Sequence, residues 1–141
     1  MRITWFGHSC FRIDTDGSSI LIDPFLTGNA TFEEAGIPMH DVFKGVTHVA
    51  LTHGHEDHAS DAVRACKESG AQLLAVHELA TYLAGRGVEK IDPGNTGGTL
   101  SHENFDLTFV PAWHSASNIV DGRPVYLGAP CGLIIAPNGE K

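Results

Sequence analysis

His48-Val49-Ala50-Leu51-Thr52-His53-Gly54-His55-Glu56-Asp57-His58 is the stretch that decides how this chain is read. Its first half is a strand-like apolar run. Its second half packs three imidazoles and a carboxylate into six positions, and all four groups bind divalent metal. With His and Asp scattered at this chain's own frequencies, the pattern H-x-H-x-D-H would arise by chance in roughly 0.002 of such sequences, so it calls for a mechanism. The apolar run should end where the cluster begins. The cluster then sits on a loop at a strand's C-terminal end, where a helix opens.

His53 and His55, two apart on a tight loop, can both reach one metal, and Gly54 between them is expected to let the backbone turn sharply. Asp57 and His58 are adjacent, so they point elsewhere, toward a second metal nearby. Zinc suits this nitrogen and oxygen set, and manganese or iron occupies similar sites. A structural zinc site would normally use cysteine, and none lies near in sequence, so the ligand set indicates an open, catalytic site. The first metal needs a third histidine from a distant loop. His114, just past the strand-like run Phe105–Val110 in Pro111-Ala112-Trp113-His114-Ser115, is the candidate. Trp113 beside it is read as a packing residue.

Two further residues have open readings. Asp23, at the end of a strand and before Pro24, is either a turn former or the group that fixes a ligand histidine. His8, in Gly7-His8-Ser9, is either a turn residue or a pocket residue facing the site. His40, His48, His77 and His102 have no motif partners and are read as structural or surface residues.

The chain's 141 residues suit one domain spanning 1–141. Its net charge of −8 argues against general nucleic-acid or membrane-surface binding, which needs a basic patch. No apolar run approaches the ~20 residues that span a bilayer. Cys10, Cys66 and Cys131 are odd in number, widely spaced and without a C-x-x-C motif, which points to reduced thiols in a cytoplasmic protein.

The pattern predicts strands at 2–6, 10–14 and 19–23 as an antiparallel meander, with Asp16-Gly17 as a hairpin turn. Residues 24–45 read as loop with a short helix over Thr31–Ala35. Strand 47–51 then leads to a helix from Asp57 to Ser69, ended by Gly70. Strand Gln72–Val76 and a helix from Glu78 to Ala84 follow. Residues 92–99 read as a glycine-rich loop, and strands return at Phe105–Val110, Val125–Leu127 and Leu133–Ala136. The β-α-β-α alternation implies a largely buried sheet with helices outside. Asn138-Gly139 is a preferred hairpin turn, with Glu140-Lys141 beginning a returning strand, so the chain reads as cut in mid-hairpin.

With these residues in place, the chain resembles the metallo-β-lactamase superfamily, and more closely the group called UPF0173 metal-dependent hydrolases. The matching stretches are residues 3–11, 20–29, 51–58, 95–99, 114–115 and 124–128. The resemblance implies an α/β fold of the αββα sandwich kind, incomplete at its C-terminus, with a dinuclear site at one edge. It assigns His53, His55 and His114 to one metal and Asp57 and His58 to the other. It also expects a bridging Asp and a last His further downstream. Flavodiiron oxidoreductases of the superfamily are similar but carry Glu where this chain has His55, which argues for hydrolysis over redox chemistry.

The expected function is a metal-dependent hydrolase of a small-molecule substrate. It would use a metal-activated water on an ester, amide, lactone or phosphodiester bond, with Asp57 as the catalytic carboxylate and one or two zinc ions as cofactor. The alternative is a non-catalytic metal-binding fragment, completed only by further chain or by a partner. A homo-oligomer stays open on either reading.

Overall fold

The computed structural model describes residues 1–138. Gly139 of the expected Asn138-Gly139 turn and the strand expected at Glu140-Lys141 therefore lie outside the described residues. A mixed six-stranded sheet forms the centre, made of β1 (Arg2–Trp5), β2 (Phe11–Thr15), β3 (Ser18–Ile22), β4 (His48–Ala50), β5 (Gln72–Val76) and β6 (Ile91–Gly94), side by side in that order. The first three strands pair antiparallel, and β3 through β6 run parallel. β1 consequently runs in the same direction as β3 to β6, and all of their C-terminal ends lie at one edge of the sheet.

Strand alternation gives this sheet two apolar faces. Leu21, Val49 and Leu73 lie in one cross-strand row and are fully buried. Arg12, which pairs with Leu21, donates to the carbonyls of Val42 (2.9 Å) and Lys44 (3.0 Å), so this face looks toward the helices. Those helices include α1 (Ala30–Ala35) and α2 (Met39–Phe43). After β4 come α3 (Glu56–Ala59) and α4 (Ala62–Ser69), and after β5 comes α5 (His77–Ala84). The opposite face meets a second, antiparallel sheet in the order β11 (Cys131–Pro137), β8 (Phe105–Pro111), β7 (Thr99–Ser101). Phe105, Leu107 and Phe109, every second residue of β8, are fully buried between the sheets. Each such side chain contributes about 1.5–3 kcal/mol by leaving water. Helices on a sheet on a sheet make three layers of an αββα sandwich, and no second helical layer occurs among the described residues.

The structure revises several element expectations. The helix over 57–69 is two helices, broken at Ser60 and Asp61. Asp61 is buried, and its carboxylate accepts from Leu26 N (2.9 Å), Thr27 N (2.8 Å) and Thr27 Oγ1 (2.9 Å), so tertiary contacts to the loop after β3 override the local helical pattern. Gly70 ends α4 as expected, with φ 73°. The "loop" at 92–99 includes part of β6, whose Pro93 is tolerated because β6 is an edge strand of its sheet. α2 and β7 carried too little pattern to be anticipated. A hairpin of β9 (Ser117–Val120) and β10 (Arg123–Tyr126) was read only in part. It turns on Asp121 (φ 51°) and Gly122 (φ 73°), and two successive left-handed residues are the mark of a type I′ turn.

His48 is a structural histidine, as expected. It lies between the two sheets, 4.6 Å from the His102 ring and 4.9 Å from Phe105 between centroids. Burial, reinforced by His102 and only partly opposed by Asp92, pushes its pKa down to about 4. The neutral ring is the folded form. Stability from His48 is therefore whole above the ordinary histidine value of 6.5 and is lost as pH falls from there toward about 4. Metal-free wild type should lose melting temperature across that window more steeply than His48→Gln. Thermal melts of both chains between pH 7 and pH 4.5 check this, and parallel slopes would refute it.

Candidate metal centre

Every histidine of the centre stands at the same edge of the sandwich. His53, His55, Asp57 and His58 follow the C-terminal end of β4, Asp23 follows β3, and His8 occupies the turn after β1. His114 reaches in from the second sheet, just beyond β8. A strand end frees backbone from the ladder, so side chains there converge without disturbing the sheet.

The chain places these groups in two clusters. One ligand atom from each of His53, His55 and His114 lies within 4.8 Å of the others, and the same holds for His8, Asp57 and His58. The clusters adjoin, with the His53 and His58 ring centroids 4.1 Å apart. His53 is buried, His55 and His58 are half-buried, and His8, Asp57 and His114 are exposed, so the centre opens to solvent on one side.

Asp23 organises much of this. It is 1% exposed and sits in a left-handed conformation with φ 44°. Its Oδ1 accepts from Thr52 N (2.8 Å), and its Oδ2 accepts from Thr52 Oγ1 (2.7 Å) and His58 Nδ1 (2.8 Å). Thr52 Oγ1 has a single proton and gives it to Asp23. At 2.9 Å from His53 Nδ1 it can then only accept, so His53 carries its proton on Nδ1. His53 Nε2 is left as the ring's lone pair, the state a metal ligand requires, and His58, held by Nδ1 on Asp23, keeps Nε2 as its outer nitrogen. Asp23 thus accepts a backbone N–H, as a turn former does, and also accepts a hydrogen bond from a histidine.

Electrostatics separate the two histidines. Burial, with the neighbouring His58 and His55 rings adding to it, pushes His53 down to about 4, so it is neutral at pH 7. Burial works against charge on His58 as well, but the Asp23 hydrogen bond and the Asp23 and Asp57 charges outweigh it and raise its pKa. His53 Nε2 and His55 Nδ1 face each other at 3.1 Å, while His55 Nε2 lies 3.4 Å from Ser115 Oγ. Two imidazole nitrogens aimed at one point, with their outer nitrogens occupied, form a donor set suited to a divalent cation.

Three sequence expectations change here. Gly54 does not serve by a left-handed turn, since its φ is not positive. A Cβ there would lie 2.9 Å from Leu127 Cβ and 3.1 Å from Leu79 Cδ1, so it is close packing that requires glycine. Trp113 is fully exposed and packs against no core. His8 does more than line the pocket, because its Nε2 lies 3.3 Å from Asp57 Oδ2. The three cysteines are buried and free, and burial pushes each thiol up to about 12, which leaves ligation to histidine and carboxylate. Cys131 instead donates to Thr52 O at 3.2 Å and ties β11 to the loop that carries His53. Beside the histidines lies a cavity of about 400 Å³ whose apolar walls include Phe11, Ile22, Ala112 and Pro130.

Comparison with known proteins agrees with this geometry. Residues 2–122 match the family described as the Beta-lactamase superfamily domain. The chain belongs to the metallo-β-lactamase superfamily. Within it, a UPF0173 metal-dependent hydrolase of Brucella ovis is 51% identical over 135 residues, which cover 95% of this chain and 56% of the relative. The chain thus spans about half the length of the curated superfamily members it matches. Igni18, a metallo hydrolase from the archaeon Ignicoccus hospitalis, superposes with a TM-score of 0.78 at 30% identity, covering 97% of this chain and 56% of that one. CmlA, a diiron β-hydroxylase from Streptomyces venezuelae, superposes with a TM-score of 0.67 over 97% of this chain and 27% of that one. At 18% identity it shows a shared superfamily fold alone.

The Asp23 network makes a prediction. Asp23→Asn keeps the size and tolerates φ above zero but turns an acceptor-only group into a partial donor. It should cost about 1–3 kcal/mol of stability and weaken zinc binding by about 10–100-fold. Thermal melts and competition against a chelator measure the two effects, and unchanged metal affinity would show that Asp23 only shapes the turn.

Proposed function

We propose that the protein to which these residues belong is a zinc-dependent hydrolase with a dinuclear centre, acting on a small-molecule ester, amide, lactone or phosphodiester. The observation that carries this reading is the convergence of His53, His55 and His114 within 4.8 Å, with His53 Nδ1 held by Thr52 Oγ1 and His55 Nε2 near Ser115 Oγ. The names of the curated relatives support it at the level of metal-dependent hydrolysis. A bound dication would acidify water toward neutral pH and polarise the substrate oxygen. Asp57 is exposed at the mouth of the centre, where its carboxylate can accept a proton or hold an attacking water in line. The adjacent apolar walls would seat the non-reacting part of a substrate and exclude water from it. Manganese or iron suits the same donors. Three free cysteines support a cytoplasmic setting.

A second reading rests on length. The chain covers 56% of the curated relatives, and on this reading it acts by itself only as a metal-binding portion without turnover. Metal content per chain, measured with hydrolysis of p-nitrophenyl esters and bis(p-nitrophenyl) phosphate, separates the two. The hydrolase reading expects zinc-dependent turnover that falls at least ~100-fold in His53→Ala. Bound zinc without turnover supports the binding portion. Metal content unchanged by His53→Ala sinks both.

A further inference from the structure

His8 and His114 are the two cluster members that lie outside the H-x-H-x-D-H motif, and the backbone of His8 is unusual. Its φ is 49°, a left-handed conformation that non-glycine residues rarely adopt. Such a conformation costs about 1–2 kcal/mol and persists where surrounding structure holds it. Here the holding contacts are visible. Cys10 N donates to Gly7 O at 3.0 Å, Phe6 N donates to Cys10 O at 2.9 Å, and the Trp5 indole donates to His8 O at 3.0 Å. The His8 ring stands edge-on to Phe25 at 5.7 Å and to His58 at 5.0 Å between centroids. Its Nε2 ends 3.3 Å from Asp57 Oδ2.

We infer that His8 joins Asp57 and His58 as a third ligand in a second site for a divalent cation, adjoining the His53, His55, His114 site. The inference rests on the dinuclear reading above and sharpens it, because the motif alone gives the second cation only Asp57 and His58. The strand directions explain the placement: β1 runs parallel to β3 and β4, so the turn after β1 arrives at the edge where the β4 loop begins. His58 Nδ1 is held by Asp23, which leaves His58 Nε2 free beside His8 and Asp57. Two imidazole nitrogens and one carboxylate oxygen form a set that suits zinc, manganese or iron, and water can fill the remaining positions on the exposed side. The plainer account is a surface His–Asp pair, worth about 0–1 kcal/mol. That pair alone would predict no metal at His8.

The test is metal stoichiometry by equilibrium dialysis of the full chain against Zn²⁺, repeated with Co²⁺ to read the visible absorption of each site. Wild type, His8→Asn, Asp57→Asn and His114→Ala are compared. Asparagine tolerates the left-handed backbone at position 8, and an unchanged melting temperature of the metal-free variant shows that the turn survives. Wild type should bind two ions. His8→Asn and Asp57→Asn should each lose one of them, or bind it at least ~10-fold more weakly, and keep the ion that His114→Ala loses. If His8→Asn binds as many ions as wild type, the inference falls while the His53 site stands. If wild type binds no ion, the inference and the proposed function fall together.

Discussion

A single buried carboxylate holds the centre together. Asp23 is removed from water almost completely, which is costly for a charge without partners. Three donors converge on it, two from Thr52 and one from His58. Charge-assisted hydrogen bonds of this kind are roughly twice as strong as neutral ones. Through Thr52 the same carboxylate sets the tautomer of His53, and directly it sets that of His58. One group therefore orients a histidine in each cluster, and both histidines present Nε2 outward. The left-handed backbone at position 23 is the strain that this arrangement tolerates.

The rest of the architecture serves to bring that carboxylate to β4. β3 and β4 are parallel neighbours, with Ile22 opposite Ala50. Residues just past their C-terminal ends therefore lie side by side. The helices and the second sheet cover both faces of this pair, so the strand interiors are apolar and only the ends are free for polar chemistry. Asp61 plays a parallel role behind the site. It anchors the backbone of Leu26 and Thr27, which fixes the loop that follows Asp23. The two buried acids thus flank one loop, one oriented toward the histidines of the candidate centre and one toward the backbone of Leu26 and Thr27.

Much of the fold was legible because period and punctuation agreed. The antiparallel meander, β5, β8, the short helix at 30–35 and the Gly70 cap all appeared near their expected positions. What was missed shares a cause. β6 contains Pro93 and Gly94, which read as loop, yet pairing with β5 at the sheet edge makes it a strand. The Ser60–Asp61 break was hidden in a good helical pattern because its reason lies in a loop more than thirty residues earlier. Gly54 was read through its conformational freedom, when the deciding constraint is the approach of Leu127 and Leu79 from distant elements.

For the site, local spacing alone determined the donor types and the pairing of His53 with His55, since two side chains two residues apart on a loop must be neighbours. It also determined that the centre opens at a strand end. Tertiary structure decided the rest. That His114 completes the first cluster depends on how the second sheet packs on the first. That His8 joins Asp57 and His58 depends on β1 running parallel to β4, which brings residues fifty apart in sequence to one edge. Spacing reports what the backbone links, whereas strand direction and sheet packing decide which distant loops meet.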